Sequence, residues 1–436
     1  MPLINLRKKG FGIGSTMVFG RTLTLTYDPK IPPRCFKLAH FKIIQNGFTN
    51  DYNRTVMTQA EIKRWEDVLQ NEELLQAVQS RDTSDVATIS SLRKKWSQEH
   101  IAIAIECIDA KERAKRKGFA DAFVSDRQGI EQATSLCVGT HKAKRFKSDK
   151  PIFDCCCGVG GDLIALPEHA IGVDSHALRC WMAEQNTGKT IQQQDVLTIP
   201  YDNTMLVHID PARRTNSKRI FSLSEMSPSI EQVFDIATHA EGGCIKCSPA
   251  VNPVDFEGLQ HPFEIEYIEE RGTLVQAAIW FGSLAYNPNQ TRATNMDAGL
   301  SIAGVCDPQV PLGTIDSFLY EPKPSIERAC LIHIIARESD AHELARGLGI
   351  LSSTTHIDSK WLNAFEVIEV LPLRLEKVQS FLDGTECDTI EVKTRGQVVD
   401  PNEWQNKLRT GSSGETITIF ALRIGSQHKA IVTRRI

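Results

Sequence analysis

The sequence has no apolar run long enough to cross a bilayer. Stretches such as Ile101–Ile105 fall far short of the roughly 20 residues a spanning helix needs. No secretory leader is expected either. MPLINLRKKGFGIG carries basic residues with no apolar segment behind them, which predicts a cytoplasmic chain. Twelve cysteines would be a disulfide framework in a small secreted protein; across 436 residues without a leader they read as reduced thiols. There is no surplus of positive charge: 50 Lys and Arg stand against 54 Asp and Glu, a net charge of −4. That argues against non-specific coating of nucleic acid, though a local basic face is still allowed. Internal repeats and low-complexity tracts are absent. Metal-ligand spacing is incomplete, because Cys244-Ile-Lys-Cys247 has no second Cys/His pair nearby. That C-x-x-C lies in an expected buried strand and reads as core packing, so no metal is expected.

What is present is an ordinary globular composition, 41% hydrophobic and 24% charged. The length predicts two or three domains. Residues 1–57 contain two strand-like alternations, TLTLTYD (22–28) and FKLAHFKII (36–44), that attach to no larger unit. From 58 to 150 the period is helical. Thr58 and Glu61 suit a capping box, and Ile62, Trp65, Val68 and Leu69, then Leu74, Leu75 and Val78, form a stripe. A second helix is predicted over about 86–117, with Gly118 as its C-cap. From 151 to 305, short β-branched runs at 151–156, 170–174, 190–193, 204–210 and 243–248 alternate with room for crossover helices. They predict a parallel sheet covered on both faces. A hairpin turning at Arg271-Gly272 follows in 263–282. The Pro-rich stretches 306–313 and 320–325 read as a linker into a small α/β unit ending at 436. In that unit helices are expected over 325–337, 373–383 and 401–409, with strands at 365–372, 389–396, 416–424 and 429–435.

The chemistry concentrates in Asp154-Cys-Cys-Cys-Gly158-Val-Gly160-Gly161-Asp162, which follows a strand and is expected to open a helix. Glycines there let the backbone turn sharply and approach a ligand, and a helix N-terminus offers unpaired N–H groups. Downstream, three further strands also end in acidic residues. Asp174, followed by Ser175, suits ribose hydroxyls; Asp195, followed by Val196, suits an adenine amine; Asp210-Pro211-Ala212-Arg213 ends the fourth strand. Ligands of open α/β sheets bind at these carboxyl ends. Four ordinary strand-end caps are the bland alternative, since Asp is common at such turns. A dinucleotide fits poorly. The third spaced glycine of G-x-G-x-x-G is missing, and Asp154 would repel a pyrophosphate. The same carboxylate suits the sulfonium and amino group of S-adenosylmethionine.

DCCCGVGGD, VDS (173–175), QQDV (193–196), HIDPARR (208–214), IKCSP (245–249) and EVKTRG (391–396), with SDRQGIEQATS (125–135) before the core, together resemble bacterial class I methyltransferases with a C-terminal THUMP-like domain. The resemblance spans roughly 58–436 and extends more distantly to the RNA cap guanine-N2 methyltransferases. It implies a Rossmann-like, seven-stranded catalytic core, a helical N-terminal region, S-adenosylmethionine as cofactor and RNA as partner. Base-directed enzymes of this kind usually carry an aromatic residue after the D/N-P-P of the fourth strand, where it stacks on the base. Here Arg213 stands in its place, able to stack by its guanidinium plane or to grip phosphate.

The candidate site is therefore Asp210, Pro211 and Arg213 for the acceptor, and Asp154, Gly158, Gly160, Asp174, Ser175, Asp195 and Val196 for the cofactor. Lys246 and Ser248, at the fifth strand's end, border the acceptor. Lys393 and Arg395, and the basic run 141–147, are candidates for RNA contact, with ordinary surface ion pairs as the alternative. The expected reaction is methyl transfer to an RNA base nitrogen. A protein or small-molecule methyltransferase, and a non-catalytic module that binds cofactor or RNA, remain the alternatives.

Overall fold

The computed structural model describes the backbone of 14–18 and 21–25, and residues 59–213, 226–408 and 414–436, with only the backbone at Arg213. The expected strand at 36–44 and the Thr58 cap lie outside the described residues. Two compact units divide the chain at Asp67/Val68. In the first, β1 (Gly14–Val18) and β2 (Arg21–Leu25) pair antiparallel; residues 59–69, across the boundary, are described as helix α1.

The second unit opens with α2 (Glu72–Gln79), α3 (Val86–Leu92) and α4 (Gln98–Arg116). Each starts on a residue whose side chain accepts from the first turn: Asn71, Asp85 and Ser97. The single helix expected over 86–117 is two, because Ser97 caps a fresh N-terminus between them. Gly118, at φ +84°, ends α4 in the left-handed conformation that glycine adopts without a Cβ penalty. Leu74, Val78, Leu92, Ile101 and Ala104 bury together as the core of this helical layer. Two short helices lead on to the sheet, α5 (Arg127–Gln132) and α6 (Leu136–Ala143).

The central sheet uses β3 (Ile152–Cys155), β4 (Ile171–Asp174), β5 (Ile191–Gln193), β6 (Leu206–Ile209), β9 (Gly242–Cys247), β10 (Phe263–Glu270), β11 (Thr273–Gly282), β12 (Thr291–Asn295) and β13 (Leu300–Gly304). A short pair, β7 (Ala212–Arg213) and β8 (Met226–Ser227), stands apart from it. The spatial order is β13-β12-β10-β11-β9-β6-β3-β4-β5. Strands β3, β4, β5, β6 and β9 are parallel, and β11 slots antiparallel between β9 and β10. The seven-stranded expectation is corrected to nine. Seven strands have the expected plan, and β12 and β13 extend the edge beyond β10. Helices α7 (Ala177–Thr187) and α8 (Ile230–His239) are the crossovers between parallel neighbours.

Residues 306–436 add β14 (Phe318–Pro322), α9 (Pro324–Arg328), α10 (Ile332–Glu338), β15 (His342–Glu343), β16 (Leu351–Ser353), β17 (Leu362–Pro372), α11 (Leu375–Leu382), β18 (Cys387–Thr394), α12 (Pro401–Lys407), β19 (Glu415–Ile424) and β20 (Gln427–Arg435). Their sheet runs β15-β16-β14-β17-β20-β19-β18. The stretch 320–325 is not a linker: β14 occupies its start, between β16 and β17. The helix expected over 325–337 is broken in two where Cys330 takes φ +60°. Tyr320, Ile326, Leu351 and Leu362 share one continuous apolar cluster with Ile265, Tyr267 and Ile279 of the central sheet.

Candidate active site at the carboxyl edge of the sheet

The glycine loop leaves β3 through three left-handed residues, Cys156 (φ +61°), Gly158 (+56°) and Gly160 (+86°). A Cβ built at Gly160 would lie 2.9 Å from Thr187 Cγ2, whereas one at Gly158 would meet nothing within 4 Å. The loop is thus pressed against α7 on one side and open on the other. The helix expected to start here is only a 3-10 turn, Leu163–Ala165. Pro167 explains it, since the residue before proline is driven to extended backbone, and Leu166 has ψ 163°.

Asp174 closes β4 and holds the loop in place: Gly158 N donates to its Oδ2 at 3.0 Å and His176 N to its Oδ1 at 2.8 Å. Two carboxylate oxygens carry about four lone pairs, so acceptor capacity remains. Ser175 is exposed beside it. Asp195 is exposed and caps a 3-10 turn through Leu197 N at 3.0 Å. The Val196 side chain is 5% exposed within the apolar cluster, so only its backbone could face a ligand.

At the acceptor end, Asp210 N donates to Cys155 O at 3.1 Å, which ties the end of β6 to the base of the glycine loop. Pro211 is buried, and the Arg213 backbone pairs with Met226 in β7–β8. Lys246, on β9, donates to Asp210 Oδ2 at 2.7 Å and to Gln132 O at 3.2 Å. Ser248 is half-buried, its hydroxyl accepting from Ala250 N.

Beneath these residues lies a charged chain that sequence reasoning missed. Asp154 is 1% exposed, with Oδ1 2.7 Å from His208 Nδ1. His208 Nε2 is 3.0 Å from Lys142 Nζ, and Lys142 reaches Asp162 Oδ1 at 2.6 Å. Thr134 Oγ1 donates to Asp162 Oδ2 at 2.6 Å, and Lys246 stands 3.9 Å from the same oxygen. An ammonium has only donors, so His208 Nε2 accepts and its Nδ1–H points at Asp154. Burial pushes the Asp154 carboxyl above its usual range despite His208. Burial would also raise Asp162, but the ammoniums of Lys142 and Lys246 outweigh it and hold its carboxyl far below the carboxylate norm. Lys246 is raised: burial opposes its charge, and Asp210 and Asp162 more than offset that. One signal was readable. His208 interrupts the apolar alternation of Leu206–Ile209, and a polar residue in a buried strand needs a partner.

The segment 119–135 packs on the glycine loop. Asn186 of α7 accepts from Val124 N at 2.6 Å and donates to Val124 O and Val159 O, both at 2.8 Å. A Cβ on Gly161 would lie 2.9 Å from Ala133 Cβ. Asp126 receives a two-pronged contact from Arg179, described below, and caps α5 through Gly129 N.

Of the basic run 141–147, three members face interior carboxylates: His141 against Glu266 at 2.7 Å, Lys142 against Asp162, and Arg145 against Glu264 at 2.8 Å. Lys144 and Lys147 are exposed. Lys393 pairs with Glu321 at 2.7 Å, and Arg395 with Glu327 at 3.1 Å, so both serve the C-terminal unit internally. Cys244 and Cys247 are three apart on β9 and join different apolar clusters. Burial pushes the Cys155 and Cys244 thiols up to about 12, far from the thiolate that nucleophilic or metal chemistry requires. Among the described residues, no group of three or more His, Cys, Asp or Glu could hold a metal ion. No helix among them is long and apolar enough to cross a membrane.

Residues 362–435 match the model of the THUMP domain-like family. Over 313 residues the chain is 26% identical to a protein of Mycobacterium tuberculosis (strain H37Rv), named as an uncharacterized S-adenosylmethionine-dependent methyltransferase; the match covers 70% of this chain and 86% of that protein. The same identity and coverage hold for its counterpart in strain CDC 1551 / Oshkosh. A solved structure from Porphyromonas gingivalis W83, assigned as a methyltransferase, superposes with a TM-score of 0.63 at 16% identity, covering 78% of this chain and 92% of that one. The chain is a class I methyltransferase with a THUMP-like C-terminal domain. S-adenosylmethionine is the methyl donor of this class, and the methyltransferase's open, left-handed loop bounded by Asp174 suits it. Its THUMP-like match is narrower than the expected unit 306–436 and begins with β17.

Proposed function

We propose that this methyltransferase transfers the methyl group of S-adenosylmethionine to a nitrogen of an RNA base. The observation that carries the reading is Asp210. Its carboxylate stands at the end of β6, is tied through its backbone to the base of the glycine loop and is 32% exposed, with Oδ2 taken by Lys246. A carboxylate so placed can orient an N–H of an acceptor amine. When bound, S-adenosylmethionine supplies a methyl group that its sulfonium already activates.

The chain's own residues then have to hold and align. Asp174 would accept from ribose hydroxyls while fixing Gly158, and Asp195 would meet the adenine amine. Asp154 Oδ2 is buried with no hydrogen-bond partner among the described residues, which leaves an acceptor for the amino group, directly or through a water. Segment 119–135 would shield the site from solvent. Alignment of this kind supplies much of the rate, because little covalent chemistry falls to the protein. The THUMP-like match supports RNA as the acceptor and, with it, a cytoplasmic setting.

A second reading has one observation in its favour. Lys393 and Arg395 spend their charge on Glu321 and Glu327, which leaves neither free for a phosphate and suits a protein or small-molecule acceptor. Mass spectrometry of nucleosides from a deletion strain distinguishes the two. Loss of one methylated nucleoside supports RNA; an unchanged nucleoside profile overturns it.

A further inference from the structure

Asp210 is the end of a chain of contacts, and the residue that holds it is Lys246. Three groups surround the Lys246 ammonium: Asp210 Oδ2 at 2.7 Å, Gln132 O at 3.2 Å and Asp162 Oδ2 at 3.9 Å. An ammonium has three donors, so little freedom is left to it. Its side chain is 15% exposed and rises from β9, a strand hydrogen-bonded on both sides, so the stem is fixed as well as the head. Asp162 in turn is braced by Lys142 and Thr134. No hydrogen bond from the described residues reaches Asp210 Oδ1.

We propose that Lys246 is the positioning residue of the acceptor site, pinning Asp210 by Oδ2 so that Oδ1 alone faces the methyl acceptor. This rests on the reading of Asp210 as the group that orients the acceptor. With Oδ2 engaged, the carboxylate presents the lone pairs of Oδ1, and those are satisfied only by a donor. The site therefore selects an acceptor nitrogen that carries hydrogen, such as an exocyclic amino group, over a ring nitrogen with only a lone pair or an anionic oxygen. Selection of this kind is strong when the mismatched ligand leaves a charged group unpaired. Because the same ammonium bonds Gln132 O, the acceptor carboxylate and segment 119–135 are set by one residue.

The experiment uses the full chain and the variants Lys246→Met, Lys246→Arg, Asp210→Asn and Lys246→Met/Asp210→Asn. The first readout needs no substrate. In protein labelled with ¹³C at aspartate carboxyls, Asp210→Asn identifies the Asp210 resonance. Lys246→Met moves that resonance while leaving Asp174 in place, and Lys246→Arg keeps it near the wild-type position. The second readout is methyl transfer from labelled S-adenosylmethionine to total RNA of a deletion strain. Lys246→Met lowers kcat by about 30-fold or more with KM for the donor within about threefold, and Lys246→Arg recovers about tenfold. The double variant is no slower than the slower of the two single variants, because the two residues act as a unit. An unmoved Asp210 resonance in Lys246→Met overturns the proposal, as do multiplying losses in the double variant or no recovery with Arg. If wild type methylates no RNA, the functional reading fails, and the resonance alone decides the role of Lys246.

Discussion

Arg179 grips Asp126 with both arms of its guanidinium, Nη1 to Oδ1 at 2.6 Å and Nη2 to Oδ2 at 2.9 Å. The pair joins α7, which flanks the glycine loop, to the segment that covers the loop. Both side chains are less than a quarter exposed, so screening is modest. Arg179→Ala is expected to cost about 1–2 kcal/mol of stability, as lost charged hydrogen bonds do. It should also speed protease cleavage within 119–135, measured by limited proteolysis. An unchanged cleavage rate would mean that Asn186, Thr134 and Lys246 hold the segment without it.

Asp174→Ala is expected to weaken S-adenosylmethionine binding by about 1–3 kcal/mol, measured by calorimetric titration. The loss would have two sources, the proposed ribose contact and the freed Gly158 amide. Tight binding of NAD in place of S-adenosylmethionine would contradict the cofactor assignment.

Asp210→Ala should lower kcat on RNA about a hundredfold, with donor affinity within about threefold. In the proposed site Asp210 faces the acceptor, and Asp174 and Asp195 the cofactor. A calorimetric loss of donor binding as large as the kinetic loss would place Asp210 among the cofactor ligands instead.

Glu266 ties stability to acid. Burial alone would raise its carboxyl, but the His141 hydrogen bond and charge, then Arg145 and Thr294, outweigh burial and bring it down to about 2. A depressed carboxyl stabilises the fold fully above its unfolded value near 4.5, and that contribution drains away as pH falls toward 2. The shift corresponds to roughly 3 kcal/mol. Thermal melts of wild type and Glu266→Gln should therefore converge between pH 4.5 and 2. Parallel melting curves across that range would exclude the effect.

Lys117 should be unusually reactive. Burial, then the positive charge of Lys246, depress its amine to about 8, against the opposing pull of Glu270 and Glu131. At pH 8 about half of it is neutral, so competitive acylation followed by peptide mapping should find Lys117 ahead of exposed lysines such as Lys144. Lys246→Met should slow that labelling, because removing the neighbouring charge raises the Lys117 amine.

The sheet was legible because parallel strands buried on both faces leave short, β-branched runs that nothing else imitates. Strands β3 to β6 and β9 begin and end close to the predicted residues. Strands β12 and β13 were missed, since neither carries an unbroken apolar run: Thr-Arg-Ala-Thr-Asn spans β12. The acidic strand ends gave the carboxyl edge of the site directly. The chain Asp154–His208–Lys142–Asp162 was hidden because it is written across α6, β3, β6 and the loop, with His208 54 residues from Asp154 and 66 from Lys142. Lys142 and Arg145 looked like a nucleic-acid patch for the same reason: a basic run shows its charge but not the buried carboxylates that face it.

The apolar cluster that runs from Ile265 and Ile279 to Tyr320 and Leu362 leaves no hinge between the two sheets. Cutting the chain near 305 would strip water-shy surface bare on both halves, so neither fragment is a self-sufficient unit. The second sheet is less an attachment than a fixed gauge. Anything it holds sits at one set distance from Asp210, and a target reaches the carboxylate by fitting that span rather than by drawing the two sheets together.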